Sequence, residues 1–467
     1  MIEAIDSHRR SRVVRVSVWM AACAAGAALF GTALQAQPAT RPSATANDGF
    51  YWINEQNKAS LIMLVEEGII SKELGARIAA SLAQVIADGA KPGAARSRDY
   101  LAIEADLIKV GGPEVSRLHS GRSRQDLGQT STRLHLRDAF LTTYGQFNDA
   151  RATLLAMAEK HPHAILPFYT HGVQAQPTAL GHYLGGYLQA MTRSSDRYKQ
   201  AWARLNLSPL GGAAGGTSSF PVNRTRLAEL LGFDGLVVNS FDAGQIANQD
   251  NGVELSTVAA SGALTVSMLA ADLTVQYADP KPWFQLAEGE QTGISSIMPQ
   301  KRNPIGLERL HLTTSTVTGE AVTFLIQANN VMSGMGDYKS DQPLQVVRAL
   351  GRMYEDLDDM LKATVFDPER ALLEVNSDYS MTTELADILQ RDADTPFRVG
   401  HHFASDLVTY GRSHALKPAQ IPYDEAQKLF TEAWKAFGKS DQRLPLTEPQ
   451  FRRALSGENM VESAKPI

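Results

Sequence analysis

Leu255-Ser-Thr-Val-Ala-Ala-Ser-Gly-Ala-Leu-Thr-Val-Ser-Met-Leu-Ala-Ala-Asp-Leu-Thr-Val-Gln-Tyr277 is the stretch on which the fold turns. Leu255, Val258, Gly262, Val266, Leu269 and Leu273 recur along it at helical steps of three and four. Ala, Ser and Thr fill most other positions, so this helix has almost no hydrophilic face. A membrane span is one setting for such a segment. Glu254, Asp272 and the many hydroxyls argue instead for a helix buried on several sides in a bundle. The pattern then repeats at Leu307, Leu310, Thr314, Val317, Ala321, Phe324 and Ala328. Two helices of about six turns each, wrapped by other chain, predict a multi-helix bundle shared between subunits. Sustained strand alternation is found nowhere after the N-terminus, so the predicted fold class is all-α.

Between these helices lies Thr292-Gly-Ile-Ser-Ser-Ile-Met-Pro-Gln-Lys-Arg-Asn-Pro304, small, polar and punctuated by two prolines. A loop held between rigid helices is free to move, and this one gathers hydroxyls, cations and an amide, the composition of a catalytic loop. Two further polar islands precede it. Arg117-Leu-His-Ser-Gly-Arg-Ser-Arg-Gln-Asp126 reads either as a solvated helix entrance or as a grip for a carboxylate through Arg forks, hydroxyls and N–H groups. Phe168-Tyr-Thr-His-Gly-Val-Gln-Ala-Gln-Pro177 carries His171, which composition alone assigns more readily to a hydrogen-bonded structural role than to catalysis. Asp337-Tyr-Lys-Ser-Asp-Gln342 is a fourth polar run. The Gly/Ser loop Pro209–Pro221 lacks the spacing of a phosphate loop, and no strand precedes it.

The remaining chain reads as helices over Asn57–Glu67, from an N-cap at Ser71 to Gly89, and over Tyr100–Val110, Thr132–Lys160, Leu180–Met191 and Val347–Val365. A smaller helical region follows Thr382 and loses its pattern after Pro445. At 467 residues the chain exceeds one ordinary core. The expected division is an N-terminal helical domain over 51–123, the long-helix bundle over 124–375 and a small C-terminal helical domain over 376–467. Before them, Arg9, Arg10, Arg12 and Arg15 lead into an apolar, Ala-rich run with a small-residue exit near Ala36. That predicts a signal peptide over 1–36 and a periplasmic or secreted protein, with Arg9-Arg10 suiting a twin-arginine route. An uncleaved N-terminal anchor is the alternative. Residues 37–50 read as a disordered leader. Cys23, the only cysteine, falls inside the signal, so the mature chain has no thiol to oxidise. Residues 1–36 carry a net +2, which leaves −7 of the formal −5 for the rest, without any basic run to suggest nucleic acid.

Taken together, the islands resemble the three signature regions of the fumarase/aspartase superfamily, and within it the argininosuccinate lyases. Leu118-His-Ser-Gly-Arg-Ser-Arg-Gln-Asp126 is similar to the family's Leu-His-Thr-Gly-Arg-Ser-Arg-Asn-Asp, and Tyr169-Thr-His-Gly-Val-Gln-Ala-Gln-Pro177 to Tyr-Thr-His-Leu-Gln-x-Ala-Gln-Pro. Ser295-Ser-Ile-Met-Pro-Gln-Lys-Arg-Asn-Pro304 resembles Gly-Ser-Ser-x-Met-Pro-x-Lys-x-Asn-Pro without its leading Gly. The likeness runs from about Asn54 to His402. It implies a three-domain fold with a long central helix bundle, a homotetramer with a twenty-helix core, active sites assembled from three subunits, and a carbon–nitrogen lyase of the amidine-lyase type. The implied reaction is β-elimination of fumarate from an N-substituted aspartate. By the same resemblance Ser295 is the general base, Lys301 and Asn303 stabilise the carbanion, and His171 with Glu308 forms a charge-relay pair. Ser123, Arg124, Gln125, Thr170, Ser296, Tyr338 and Gln342 fall at substrate-binding positions. The resemblance implies neither a metal nor an organic cofactor, only a small-molecule partner and further copies of the chain.

Several residues depart from the family pattern. Gln125 replaces an Asn, Ile294 replaces the Gly before the serines and is expected to stiffen the loop, and Gly172-Val173 replaces Leu-Gln. The 337–342 run only loosely echoes the family's amine-side region. These departures leave the amine partner open between argininosuccinate and another N-substituted aspartate, such as an aminopolycarboxylate, and admit an inactive member retained for binding. A periplasmic serine hydrolase is a further alternative, since Ser295 and Lys301 share a loop. It is disfavoured because the chain has neither Ser-x-x-Lys nor Gly-x-Ser-x-Gly.

Overall fold

A computed structural model describes residues 47–278, 282–335 and 340–464. The predicted signal peptide with Cys23, the leader up to residue 46, and Tyr338 lie outside the described residues. Helix α1 (Gly49–Glu66) begins well before the predicted Asn57. Asp48 caps it, accepting from the Tyr51 amide, and Arg96 holds that carboxylate with two N–H bonds of 2.6 and 2.7 Å. Helix α2 (Lys72–Gly89) starts where predicted, with the Ser71 hydroxyl accepting from the Leu74 amide. Helix α3 (Tyr100–Gly111), capped by Asp99, leads through a 3-10 turn into α4 (Arg124–Lys160).

The sequence reading starts α4 only at Thr132. Its first two turns bury Asp126, Gln129 and Thr130 with Leu127 as the one apolar side chain among them, so they carry no apolar stripe to read. The 37 residues of α4 make a rod of about 55 Å at 1.5 Å per residue. Strands β1 (Ile165–Thr170) and β2 (Val173–Ala179) then form an antiparallel hairpin, a correction to the reading of this run as strandless. Pro167 pairs with Pro177 and the register shifts between Pro167 and Tyr169, which breaks the alternation that normally betrays a strand.

Helix α5 (Leu180–Leu205) follows, then two-residue strands β3 (Leu207–Ser208) and β4 (Gly235–Leu236), with the short helices α6 (Arg224–Leu230) and α7 (Ser240–Gln245). A strand thus does precede the 209–221 loop, against the expectation, but two residues are too few to leave an alternation in the sequence. Helix α8 (Ala247–Tyr277) contains the opening stretch. By length and composition it could cross a membrane, yet here it packs against α5 and against α9 (Ile305–Gln327) and α10 (Gln342–Lys362). Leu255, Gly262, Val266, Leu269 and Leu273 are buried in that contact. Its charges are met by α5: Arg204 pairs with Glu254, and the Tyr183 and Tyr187 hydroxyls donate to Asp272. Helices α4, α5, α8, α9 and α10 share the largest apolar core. A second core lies under α1–α3.

Strand β5 (Phe284–Leu286) pairs with β8 (Thr364–Phe366), and β6 (Gly293–Ile294) with β7 (Arg302–Asn303). After α11 (Pro368–Val375), a third core is built by α12 (Thr382–Ala393), α13 (Phe397–Ser413), α14 (Tyr423–Lys435) and α15 (Glu448–Ala454). The segment after Pro445 is more ordered than its sequence suggests. Helices α15 and α16 (Gly457–Ser463) occupy it, each a single capped stretch of seven residues, too short to show a period.

Candidate active site

The bundle has two chemically distinct ends, and the hydrogen bonds of α4 show which residues belong to each. At its start, Arg133 Nε donates to Asn248 at 2.7 Å, which places the beginning of α8 there. Gln249 Nε2 donates to the Ala328 carbonyl at 2.6 Å, which places the end of α9 at the same end. At the far end, the His161 and Phe366 rings lie 5.9 Å apart, and the Asp367 amide donates to the Trp283 carbonyl at 2.8 Å.

Ser123, Arg124 and Gln125 occupy the first end. Ser123 is the N-cap of α4, and Asp126 returns a bond of 2.9 Å to its amide, so the pair forms a capping box. Asp126 is fully buried. Its carboxylate also accepts from the amides of Leu127, Gly211 and Ala213 at 3.0 to 3.1 Å. The Gly/Ser loop at 209–221 therefore cradles an anion after all, one from its own chain. Burial pushes the Asp126 carboxyl up to about 6, against the pull of these N–H groups and Arg122. Asp126 has no role in the sequence reading; the Ser-x-x-Asp spacing at a helix start was the available signal.

Arg124 projects from the first turn and lies 3.4 Å from Asp99. Gln125 Nε2 donates to the Gly244 carbonyl and sits 3.4 Å from Gln245 Oε1. Both residues line a cavity of about 150 Å³ with Gln129, Thr132, Ser340 and Asp341. Gln342 opens α10 beside it and donates to the Glu320 carboxylate on α9.

Thr170 and His171 occupy the opposite end, at the exposed tip of the β1–β2 hairpin. His171 (φ 53) and Gly172 (φ 74) form a two-residue turn with both φ positive, the signature of the type I′ hairpin. Gly172 suits that turn better than the family's Leu, which accounts for one departure in the sequence.

The 292–304 loop reaches the same end of the bundle, since α9 starts there. It is a hairpin in which Gly293 pairs with Asn303 and Ile294 with Arg302. Ile294 is thus a strand residue, 78% exposed, in the extended conformation that β-branched side chains favour. Between the strands, Ser295 Oγ accepts from the Met298 amide at 3.1 Å, and the Lys301 amide donates to the Met298 carbonyl at 3.0 Å. Ser296 and Lys301 are exposed, Asn303 half-buried, and Glu308 stands exposed in the first turn of α9.

One chain therefore gathers Ser295, Ser296, Lys301, Asn303 and Glu308 at the start of α9, whose 23 residues span about 35 Å and whose other end brings Phe324 to the cavity of Arg124 and Gln125. Among the described residues, no hydrogen bond or ion pair joins His171 to Glu308. Arg302, counted in the sequence only among the cations of its loop, and Asp99, at the start of α3, had no role of their own there.

Residues 63–319 match a family model described as Lyase, and residues 379–462 one described as Argininosuccinate lyase C-terminal. An argininosuccinate lyase of Methanosarcina acetivorans is 32% identical over 87% of this chain and 81% of its own. Argininosuccinate lyase 2 of Agrobacterium fabrum is 32% identical over 89% and 82%. Among solved structures, an EDDS lyase in complex with formate superposes with a TM-score of 0.79 at 30% identity, covering 88% of this chain and 81% of that one. A class II fumarase from Schistosoma mansoni reaches a TM-score of 0.65 at 16% identity over 88% and 90%, a likeness of fold alone.

Proposed function

The chain belongs to the fumarase/aspartase superfamily and, within it, to the argininosuccinate lyase family, and from that membership we propose that it eliminates fumarate from an N-substituted aspartate with Ser295 as the base. It is a carbon–nitrogen lyase. The observation that carries the base assignment is the Met298 amide donating to Ser295 Oγ at 3.1 Å. A serine hydroxyl loses its proton only where donors and positive charge await the alkoxide, and this loop supplies an N–H and the Lys301 ammonium.

The carbon acid to be ionised lies beside a carboxylate, so its carbanion is an aci-carboxylate carrying extra charge on oxygen. Lys301 and Asn303, on the same hairpin as Ser295, supply a cation and an amide for that charge. The electron pair left on carbon then expels the nitrogen, giving the double bond of fumarate and a free amine. His171, with Glu308, positions or protonates the departing nitrogen. Ser123, Arg124, Thr170 and Ser296 hold the carboxylates, Gln125 is a further substrate-binding residue, and Gln342 and Tyr338 are assigned to the amine half by the resemblance of their sequence run.

We further read the chain as a homotetramer. The two groups of site residues sit at opposite ends of one bundle, and antiparallel copies bring them into register. The central helices also expose apolar side chains that only another copy would cover, among them Leu264 and Met268 on α8 and Leu312 and Ile326 on α9. The basic, then apolar N-terminus supports export to the periplasm. Export speaks for an amine other than arginine, since a secreted enzyme stands apart from cytosolic synthesis; argininosuccinate and aminopolycarboxylates bearing a succinyl arm are the two substrate classes to separate.

Fumarate absorbance on incubation with argininosuccinate and with N-(2-aminoethyl)aspartate separates these classes. Release from neither would favour an inactive binding protein. Ser295→Ala should lower kcat at least about 1000-fold while leaving the oligomer intact. Near-normal turnover in that variant would remove serine as the base, and covalent labelling of Ser295 by a serine-hydrolase probe would point to acyl transfer instead.

A further inference from the structure

The residue between Lys301 and Asn303 has no role in the proposed chemistry, yet it is the most connected side chain of the loop. Arg302 Nε donates to Glu288 Oε1 at 2.7 Å, and its Nη1 donates to the Pro299 carbonyl at 2.8 Å and approaches the Lys301 carbonyl at 3.4 Å. Glu288 precedes β6, whereas Pro299 lies inside the loop, so one guanidinium joins the neck of the hairpin to its tip. From Ser296 to Lys301 every residue is exposed, and only two residue pairs make up the β6–β7 ladder. So short a ladder does not by itself hold a loop that long.

We propose that Arg302 is a positioning residue that clamps the serine loop across its neck, fixing where Ser295 and Lys301 stand relative to one another. Fixing the Pro299 carbonyl sets the path of the turn that follows Met298, and the Met298 amide is the donor on Ser295 Oγ. The same clamp sets Lys301, which leaves the turn through its bond to the Met298 carbonyl. Below it, the base is rigid: the Gly306 amide donates to the Gln291 carbonyl at 3.0 Å, and Gly289 and Thr292 bond one another. A planar fork reaching two acceptors at once is what arginine does and lysine does not. As a bare ion pair the contact with Glu288, whose side chain is 72% exposed, would hold little. The carbonyl bond is the part that counts.

The clamp rests on the proposed role of Ser295, but its test does not. Hydrogen exchange on the intact protein reads it directly. In Arg302→Met the Met298 and Lys301 amides should exchange at least about tenfold faster than in the parent, with the α8 and α9 amides unchanged. Arg302→Lys keeps the charge beside Glu288 but has no second arm for Pro299, and should exchange nearly as fast as Arg302→Met. On whichever of argininosuccinate and N-(2-aminoethyl)aspartate releases fumarate, both variants should lose about 10- to 100-fold in kcat with KM within about threefold. Parent-like exchange in Arg302→Met, or full recovery of both readouts in Arg302→Lys, overturns the clamp. Activity surviving Ser295→Ala overturns the base and leaves the exchange result standing.

Discussion

At the scale of single residues, Ile294 changes meaning once the hairpin is seen. As a residue in a loop it replaces the family's most flexible position, and stiffening is the natural expectation. In the structure it pairs with Arg302 and turns its side chain to solvent, so it obstructs nothing within the chain. Ile294→Gly should therefore cost about 0.5 to 1 kcal/mol or less, from added backbone freedom in a strand, and should leave kcat equal or lower. Thermal unfolding and fumarate release measure the two effects. A tenfold gain in kcat would show that Ile294 hinders closure of the loop. Which residue replaces the glycine is plain in the sequence, but what it does is not. A two-residue ladder has no alternation to read, and its pairing depends on Arg302 reaching Glu288 and Pro299.

At the scale of elements, the long helices were legible because burial on one side leaves a period in the sequence. Leu255 to Leu273 on α8 and Leu307 to Phe324 on α9 lie where their spacing puts them. What escaped was held by polar groups. The first turns of α4 carry no apolar stripe because Leu127 is their one buried apolar side chain and the others turned inward are Asp126, Gln129 and Thr130, each hydrogen-bonded. The hairpin of His171 escaped because facing prolines interrupt it. Asp126 also gives α4 a measurable pH dependence. Its folded carboxyl titrates near 6 against a reference of 3.8, so the folded chain holds this proton more tightly than the unfolded one. The resulting stability is fully present below about pH 4 and is lost as pH rises through 6, by about 3 kcal/mol for that difference. Asp126→Asn should be less stable throughout, since its amino end faces N–H donors. It should also lack this slope, so its deficit relative to the parent narrows between pH 4 and pH 7. A deficit independent of pH would mean that Asp126 keeps one protonation state across the range.

At the scale of the whole molecule, the site and the assembly are one question. The motifs carrying the site were readable as three islands, but no sequence pattern tells which island meets which copy. The rod of α9 does, because it runs about 35 Å from the serine loop at its start to Phe324 in the cavity of Arg124, too far for one chain to bring the two together. A site holding both Arg124 and Ser295 must then take them from different copies. Arg124→Ala and Ser295→Ala should each be close to inactive as a pure assembly. Coexpressed in equal amounts, they should regain activity, because some sites draw Arg124 from the Ser295→Ala chain and Ser295 from the Arg124→Ala chain. With random mixing each contribution is correct half the time, so about a quarter of the sites are intact and about a quarter of parental kcat returns. Fumarate release by mixed assemblies isolated through two different tags measures it. Mixed assemblies as inactive as their parents would mean that no site draws Arg124 and Ser295 from different copies, and would overturn the shared site.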